Sequence, residues 1–176
     1  RLVHVSSQAA AGPAPATAPR SEDDPPHPLT PYGRSKLEGE RIVTGTEGLA
    51  WTILRPGAVY GPGDRAMLPL FQLVSGRVMP VVGRQDAAFM FVHVADVVSA
   101  IDAAITRDRR GETFFVGHPA PVTARQLVET LSAIVGRRPW RVVVPDPLAW
   151  TAAQLCEMVG RATGCTIPLN ASDRKS

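Results

Sequence analysis

Thr30-Pro31-Tyr32-Gly33-Arg34-Ser35-Lys36 opens a helical pattern that continues from Pro31 to Thr44. Tyr32 and Lys36 stand four residues apart and so share one face of that helix. A free phenol, with a pKa of about 10, is a poor acid–base group at neutral pH. A cation within roughly 4–6 Å favours the phenolate and readies it to exchange a proton with a hydroxyl or carbonyl. The same spacing also describes a surface lysine beside a half-buried tyrosine, so the flanks must decide. Upstream, Arg1-Leu2-Val3-His4-Val5-Ser6-Ser7 predicts a buried strand that stops at two hydroxyls. Downstream, the apolar run from Leu49 to Arg55, closed by Pro56 and Gly57, predicts a second strand. Strand, helix and strand in this order imply parallel strands and a right-handed crossover. Ligands of such open sheets bind beyond the carboxyl ends of the strands. Ser6, Ser7, the Pro56 segment and the start of the Tyr32 helix all fall at that edge.

Five blocks along the chain extend this pattern. They are Val5-Ser6-Ser7 followed by Gly12; Pro31 to Glu40; Leu54-Arg55-Pro56-Gly57-Ala58-Val59-Tyr60-Gly61-Pro62-Gly63; Phe91-Val92-His93-Val94-Ala95-Asp96-Val97; and Thr113-Phe114-Phe115-Val116-Gly117. In these blocks the chain resembles the extended short-chain dehydrogenase/reductase family, which contains NAD(P)-dependent epimerases, dehydratases and reductases. The resemblance runs over nearly the whole chain. It implies an α/β fold with a Rossmann-like parallel sheet, partial because the amino-terminal βαβ units are missing, plus a small α/β substrate-binding part. Residues 1–64 would be the catalytic second half of the Rossmann-like domain. Residues 65–176 would be mostly the substrate-binding part, with strands returning to the main sheet.

The resemblance also implies roles. Tyr32 would be the acid–base group, and Lys36 would favour its ionised form and hydrogen-bond the nicotinamide ribose. Ser7 would hold the substrate oxygen. Ser6, Tyr32, Lys36 and the backbone of Pro56 and Val59 would meet the cofactor, NAD or NADP. The hydride chemistry belongs to such a nicotinamide, and the protein supplies position and electrostatics. Asp96 is expected as a structural carboxylate at a helix start, where it suits the first-turn amides. Ala58 and Ala11 stand where the family's nucleotide-sugar enzymes commonly have Asn and Tyr, which points toward a reductase or hydroxysteroid-dehydrogenase-like member, or an unassigned epimerase type. A noncatalytic NAD(P)-binding or assembly subunit, or an inert fragment, remains the alternative.

No Gly-x-x-Gly-x-x-Gly turn precedes the first strand. This predicts the carboxyl-terminal part of a longer enzyme, with roughly the first hundred residues and their pyrophosphate grip absent. The scattered histidines and the lack of a Gly-x-Ser-x-Gly turn argue against acyl-transfer chemistry.

Between Gly12 and Pro31, six prolines exclude a helix or central strand and predict an exposed, extended, mobile loop. It is either a plain connector or a border of the substrate cleft, with Gln8 and Ala58 as substrate contacts. Arg84 is either a solvated loop residue or a contact for an anionic substrate group. Later elements are expected as a helix from Leu68 to Val74, an extended piece from Met79 to Val82, and a strand from Phe89 to Val94. A helix from Asp96 to Ile105 and a strand from Glu112 to Val116 follow. A helix capped by Thr123 then carries apolar Leu127, Leu131, Ile134 and Val135. A strand from Arg141 to Val144 and a helix from Leu148 to Gly160 end the series.

At 176 residues the chain can bury one sizeable core. Its hydrophobic fraction of 44% and charged fraction of 20% are ordinary for a globular protein. A net charge of +3, with dispersed basic residues, argues against nucleic acid as a partner. No apolar run reaches the roughly 18 residues of a membrane span. Cys156 and Cys165 match neither a redox pair nor a zinc motif. No metal is expected, and reduced thiols fit a cytoplasmic location. A small-molecule substrate is the expected partner, and a homodimer is left open.

Overall fold

A computed structural model of the chain describes residues 1–14, 18–81 and 88–144. In chain order the elements are β1 (Leu2–Val5), α1 (Gln8–Ala11), α2 (Pro31–Gly45), β2 (Trp51–Pro56), β3 (Ala58–Tyr60), α3 (Leu68–Ser75) and β4 (Val78–Val81). There follow β5 (Ala88–Phe89), β6 (Phe91–His93), α4 (Val94–Thr106), β7 (Glu112–Val116), β8 (Val122–Thr123), α5 (Ala124–Val135) and β9 (Trp140–Val143). Two compact units result, Arg1–Asp64 with Ala88–Val122, and Arg65–Ala87 with Thr123–Ser176. Arg84, Val82, Cys156, Cys165 and the expected Leu148–Gly160 helix lie outside the described residues.

The first unit is an α/β structure around a parallel sheet in the order β1-β2-β7. Val5 pairs with Leu54 across β1 and β2, and Pro56 with Val116 across β2 and β7. A strand with neighbours on both sides loses water from both edges, and β2 is accordingly buried from Thr52 to Pro56. Thr52, Ile53 and Leu54 are almost fully enclosed. The β1 strand departs from the expected buried run: among the described residues it is hydrogen-bonded to β2 alone, and Leu2 and Val5 are exposed.

Helix α2 forms where the sequence predicts it. The Thr30 hydroxyl accepts from the Gly33 amide at 2.9 Å, and Pro31 occupies the first turn, where a missing N–H costs nothing. Leu37 and Val43 are buried on the inner side. The short α1 was not expected. It begins at Gln8 because the Ser7 hydroxyl accepts from the Ala9 amide at 3.2 Å. Its backbone lies so close to α2 that a Cβ on Gly33 would run into the Ala9 carbonyl.

The proline-rich connection carries no helix or strand among its described residues. It is fastened at several points. Arg20 donates to the carbonyls of Pro13 and Pro25 at 3.1 and 2.8 Å, and the His27 amide donates to Ala11 at 2.8 Å. The Glu22 carboxylate accepts from the Phe115 amide at 2.9 Å.

The single strand expected from Phe89 to Val94 is two, interrupted at Met90. The Met90 carbonyl accepts from the Ala58 amide at 2.8 Å, and its side chain fills the space over Gly117. The following helix starts at Val94, earlier than Asp96. His93 caps it through Nδ1, which accepts from the Ala95 amide at 3.2 Å, and Asp96 sits in the first turn.

In the second unit, β4 and β9 pair in parallel, and Val74, Met79, Val128 and Leu131 form the core with Leu70, Phe71 and Leu127. Helix α5 starts with a reciprocal cap. The Thr123 amide donates to Gln126 Oε1 at 2.8 Å, and the Gln126 amide donates to Thr123 Oγ1 at 3.2 Å. Its inner stripe differs from the expected one. Val128 and Leu131 are buried, whereas Ile134 is 69% exposed. Ile134 stands in the last turn of the helix, and its exposure is not set by the helical period, since Leu127 seven residues earlier lies near the same face and packs on the core. Among the described residues, no helix is long and apolar enough to cross a membrane.

Two expectations follow for stability. Leu131→Ala should cost about 2–5 kcal/mol and Ile134→Ala under about 0.5 kcal/mol in urea denaturation. Equal losses would contradict the inner stripe. Gly33→Ala should cost about 1–3 kcal/mol, because the Ala9 backbone has no room to yield a methyl its place. An unchanged denaturation midpoint would show that α1 does not lie against α2.

Candidate functional site

Three segments of the first unit meet at the carboxyl end of its parallel sheet. The first is the turn after β1, with Ser6, Ser7 and Gln8. The second is the first half of α2, with Tyr32, Gly33 and Lys36. The third is the junction of β2 and β3, from Pro56 to Val59.

Close backbone approach holds them. Gly33 admits the Ala9 carbonyl, which brings the Ser7 turn to the start of α2. A Cβ on Gly57 would meet the Met90 carbonyl, and it would lie 3.2 Å from Gln8 Oε1. At this glycine the chain changes partners. The Gly57 amide donates to Val116 at 3.0 Å, and the next amide, of Ala58, donates to Met90. Pro56 is buried, while Ala58 and Val59 are exposed.

The Lys36 ammonium lies 5.8 Å from the centre of the Tyr32 ring and donates to the Val5 carbonyl at 3.4 Å. The helical spacing read from the sequence therefore places phenol and cation together at the end of β1. Tyr32 is 55% exposed, and among the described residues its hydroxyl has no hydrogen-bond partner. Ser7 is half-buried. Because its oxygen accepts from Ala9, the O–H of Ser7 stays available to donate. Among the described residues, Ser7 and Tyr32 share no direct hydrogen bond. Ser6 is 4% exposed, and its buried hydroxyl has no hydrogen-bond partner among the described residues.

Beneath this edge lies a pair to which the sequence reading assigned no role. Arg55 Nε and Nη2 donate to Glu40 Oε1 and Oε2 at 3.0 and 2.7 Å, with both side chains hidden from water. The guanidinium also lies 5.6 Å from the centre of the Phe115 ring. Glu40 follows Tyr32 and Lys36 at the same four-residue step, so a signal for it existed: a third polar side chain on one helix face. Nothing local in the sequence names Arg55 as its partner, because fifteen residues separate them. Arg84, the remaining candidate, lies outside the described residues.

Comparison with known proteins agrees with this architecture. Residues 1–117 match the NAD dependent epimerase/dehydratase family. Ceramide reductase of Caulobacter vibrioides is 32% identical over 73% of this chain and 41% of its own length. Subunit 9 of the NADH dehydrogenase (ubiquinone) 1 alpha subcomplex of Arabidopsis thaliana is 33% identical over 66% of this chain and 29% of its own length. Among solved structures, dTDP-glucose 4,6-dehydratase of Bacillus anthracis, in complex with NAD, superposes with a TM-score of 0.72 at 26% identity. That superposition covers 82% of this chain and 50% of the dehydratase. The chain thus spans half or less of the length of these relatives. A match over residues 1–117, about two thirds of the chain, establishes that the chain belongs to the NAD dependent epimerase/dehydratase family.

Proposed function

We propose that this chain is the acid–base portion of an NAD(P)-dependent oxidoreductase or epimerase-type enzyme, acting between a nicotinamide and a hydroxyl- or carbonyl-bearing small molecule. The observation that carries this reading is the Lys36 ammonium 5.8 Å from the Tyr32 ring centre, at a helix start packed on the Ser7 turn. The exposed phenol and the free Ser7 O–H fit a reacting oxygen, and the lightly bonded Lys36 head fits a ribose. NAD or NADP, when bound, supplies the hydride chemistry.

The chain's own residues do the rest. Tyr32 exchanges the proton of the reacting oxygen, and Ser7 holds that oxygen by donating its O–H. Lys36 sits beside the phenol ring and offers its remaining N–H groups to the ribose hydroxyls. The backbone of Ser6, Pro56 and Val59 lines the nicotinamide end, while Gln8 and Ala58 border the substrate. In this reading the first unit carries the chemistry and the second is the substrate-binding part.

Ala58 removes a directional amide from that border and favours an apolar alcohol or ketone, in line with the likeness to ceramide reductase. The likeness to a respiratory-complex subunit favours a second reading, a noncatalytic NAD(P)-binding subunit. The joint presence of Ser7, Tyr32 and Lys36 weighs for the enzyme.

Titration with NADH and NADPH, followed by nicotinamide fluorescence, tests cofactor binding. Absorbance at the nicotinamide band with a panel of ketones and alcohols then tests turnover. Tyr32→Phe should lower turnover by about 10²–10⁴-fold while leaving cofactor affinity nearly unchanged. Undiminished turnover in that variant would refute the proton assignment. Cofactor binding without turnover on any substrate would favour the subunit reading.

A further inference from the structure

Three buried polar atoms in the first unit lack partners among the described residues: His4 Nε2, Ser6 Oγ and Arg55 Nη1. All three belong to the seam between the sheet and α2. His4 Nε2 would lie 3.5 Å from a Cβ on Gly39 of α2, so His4 faces that helix. Ser6 is two residues further along the same strand direction and shares its face. Arg55 is the next residue beyond the Val5–Leu54 register pair, beside Ser6, and it reaches α2 through Glu40. The Glu40–Arg55 pair is therefore the directed link in this seam.

Its placement couples the two sides of the site. Glu40 is one helical turn beyond Lys36, which is one turn beyond Tyr32. Arg55 immediately precedes the Pro56–Val59 segment. Lysine and glutamate at i, i+4 attract each other when both are free. Here both Glu40 oxygens are occupied by the guanidinium, and Lys36 instead reaches the Val5 carbonyl and the Tyr32 ring. The Phe115 ring lies beside the same guanidinium, its centre 5.6 Å from the central carbon.

We infer that Glu40 and Arg55 are positioning residues: by occupying each other they leave Lys36 to Tyr32 and fix the Tyr32 helix against the Pro56 segment. This deepens the proposed function and rests on it for its catalytic meaning. The geometric claim can be tested without turnover.

The chain has two tyrosines, so a Tyr60→Phe background leaves Tyr32 as the sole site for 3-fluorotyrosine. Its fluorine resonance then reports the surroundings of that one ring. Glu40→Gln and Arg55→Lys, each checked for folding by circular dichroism, should displace or split the resonance. The double variant Glu40→Met with Arg55→Met removes both buried charges, an exchange that folds tend to tolerate, and it should displace the resonance as well. Val43→Ala, on the buried side of the same helix, serves as the control: it should lower Tm and leave the resonance in place.

If the Glu40 and Arg55 variants only lower Tm and keep the wild-type resonance, the pair is merely structural and the inference fails. Should the double variant not fold, Glu40→Gln and Arg55→Lys decide. In enzyme assayed with NADPH and a carbonyl substrate, the same variants should lose about 10²-fold in turnover per folded molecule, the loss expected for ångström-scale misplacement. A displaced resonance together with undiminished turnover in Tyr32→Phe would refute the proton assignment and leave the positioning claim intact.

Discussion

A carboxylate and a guanidinium, both withdrawn from water, join helix α2 to the central strand of the sheet. Such a pair is directional in a way that apolar contact is not. Leu37 and Val43 bury surface at many rotations of the helix, whereas two parallel N–H to oxygen bonds accept only one. Net stability is not the gain, because withdrawing two ions from water costs about as much as their attraction returns. The gain is register, and the residues one and two turns back from Glu40, Lys36 and Tyr32, are the ones to which the proposed function gives the chemistry.

Backbone contact completes what this pair begins. Gly33 lets the Ala9 carbonyl into α2, and Gly57 lets Met90 and Gln8 reach the β2–β3 junction. A side chain at either position would separate segments that now touch. The turn after β1, itself ordered by the Ser7 hydroxyl on the Ala9 amide, is thereby held beside the phenol-bearing helix. The site thus rests on rigid strand ends and a helix start, the usual foundation of ligand sites at the open end of a parallel sheet.

Local chemistry was the more legible part of the fold. The helix start at Pro31 and the cap at Thr123 each depend on neighbours a few residues away, and each stands where the sequence places it. Errors arose where distant residues intervene. Met90 splits a strand-like run because Ala58 and Gly117 claim its carbonyl and side chain. The β1 strand, apolar enough for a central position, pairs among the described residues with β2 alone. On α5, apolar spacing assigned Ile134 to the core, yet in the last turn of the helix its side chain stands exposed.

The sequence by itself determined the strand–helix–strand order, the parallel pairing and the placement of Tyr32 and Lys36 on one helix face, since spacing and turn chemistry suffice for these. Tertiary structure decided what shares the interior with them. The partner of Glu40 lies on another element, the Phe115 ring on a third, and the close approach of Ala9 to Gly33 depends on two helices meeting. Contacts between residues far apart along the chain leave no periodic trace in it, because their geometry exists only once the sheet has brought the elements together.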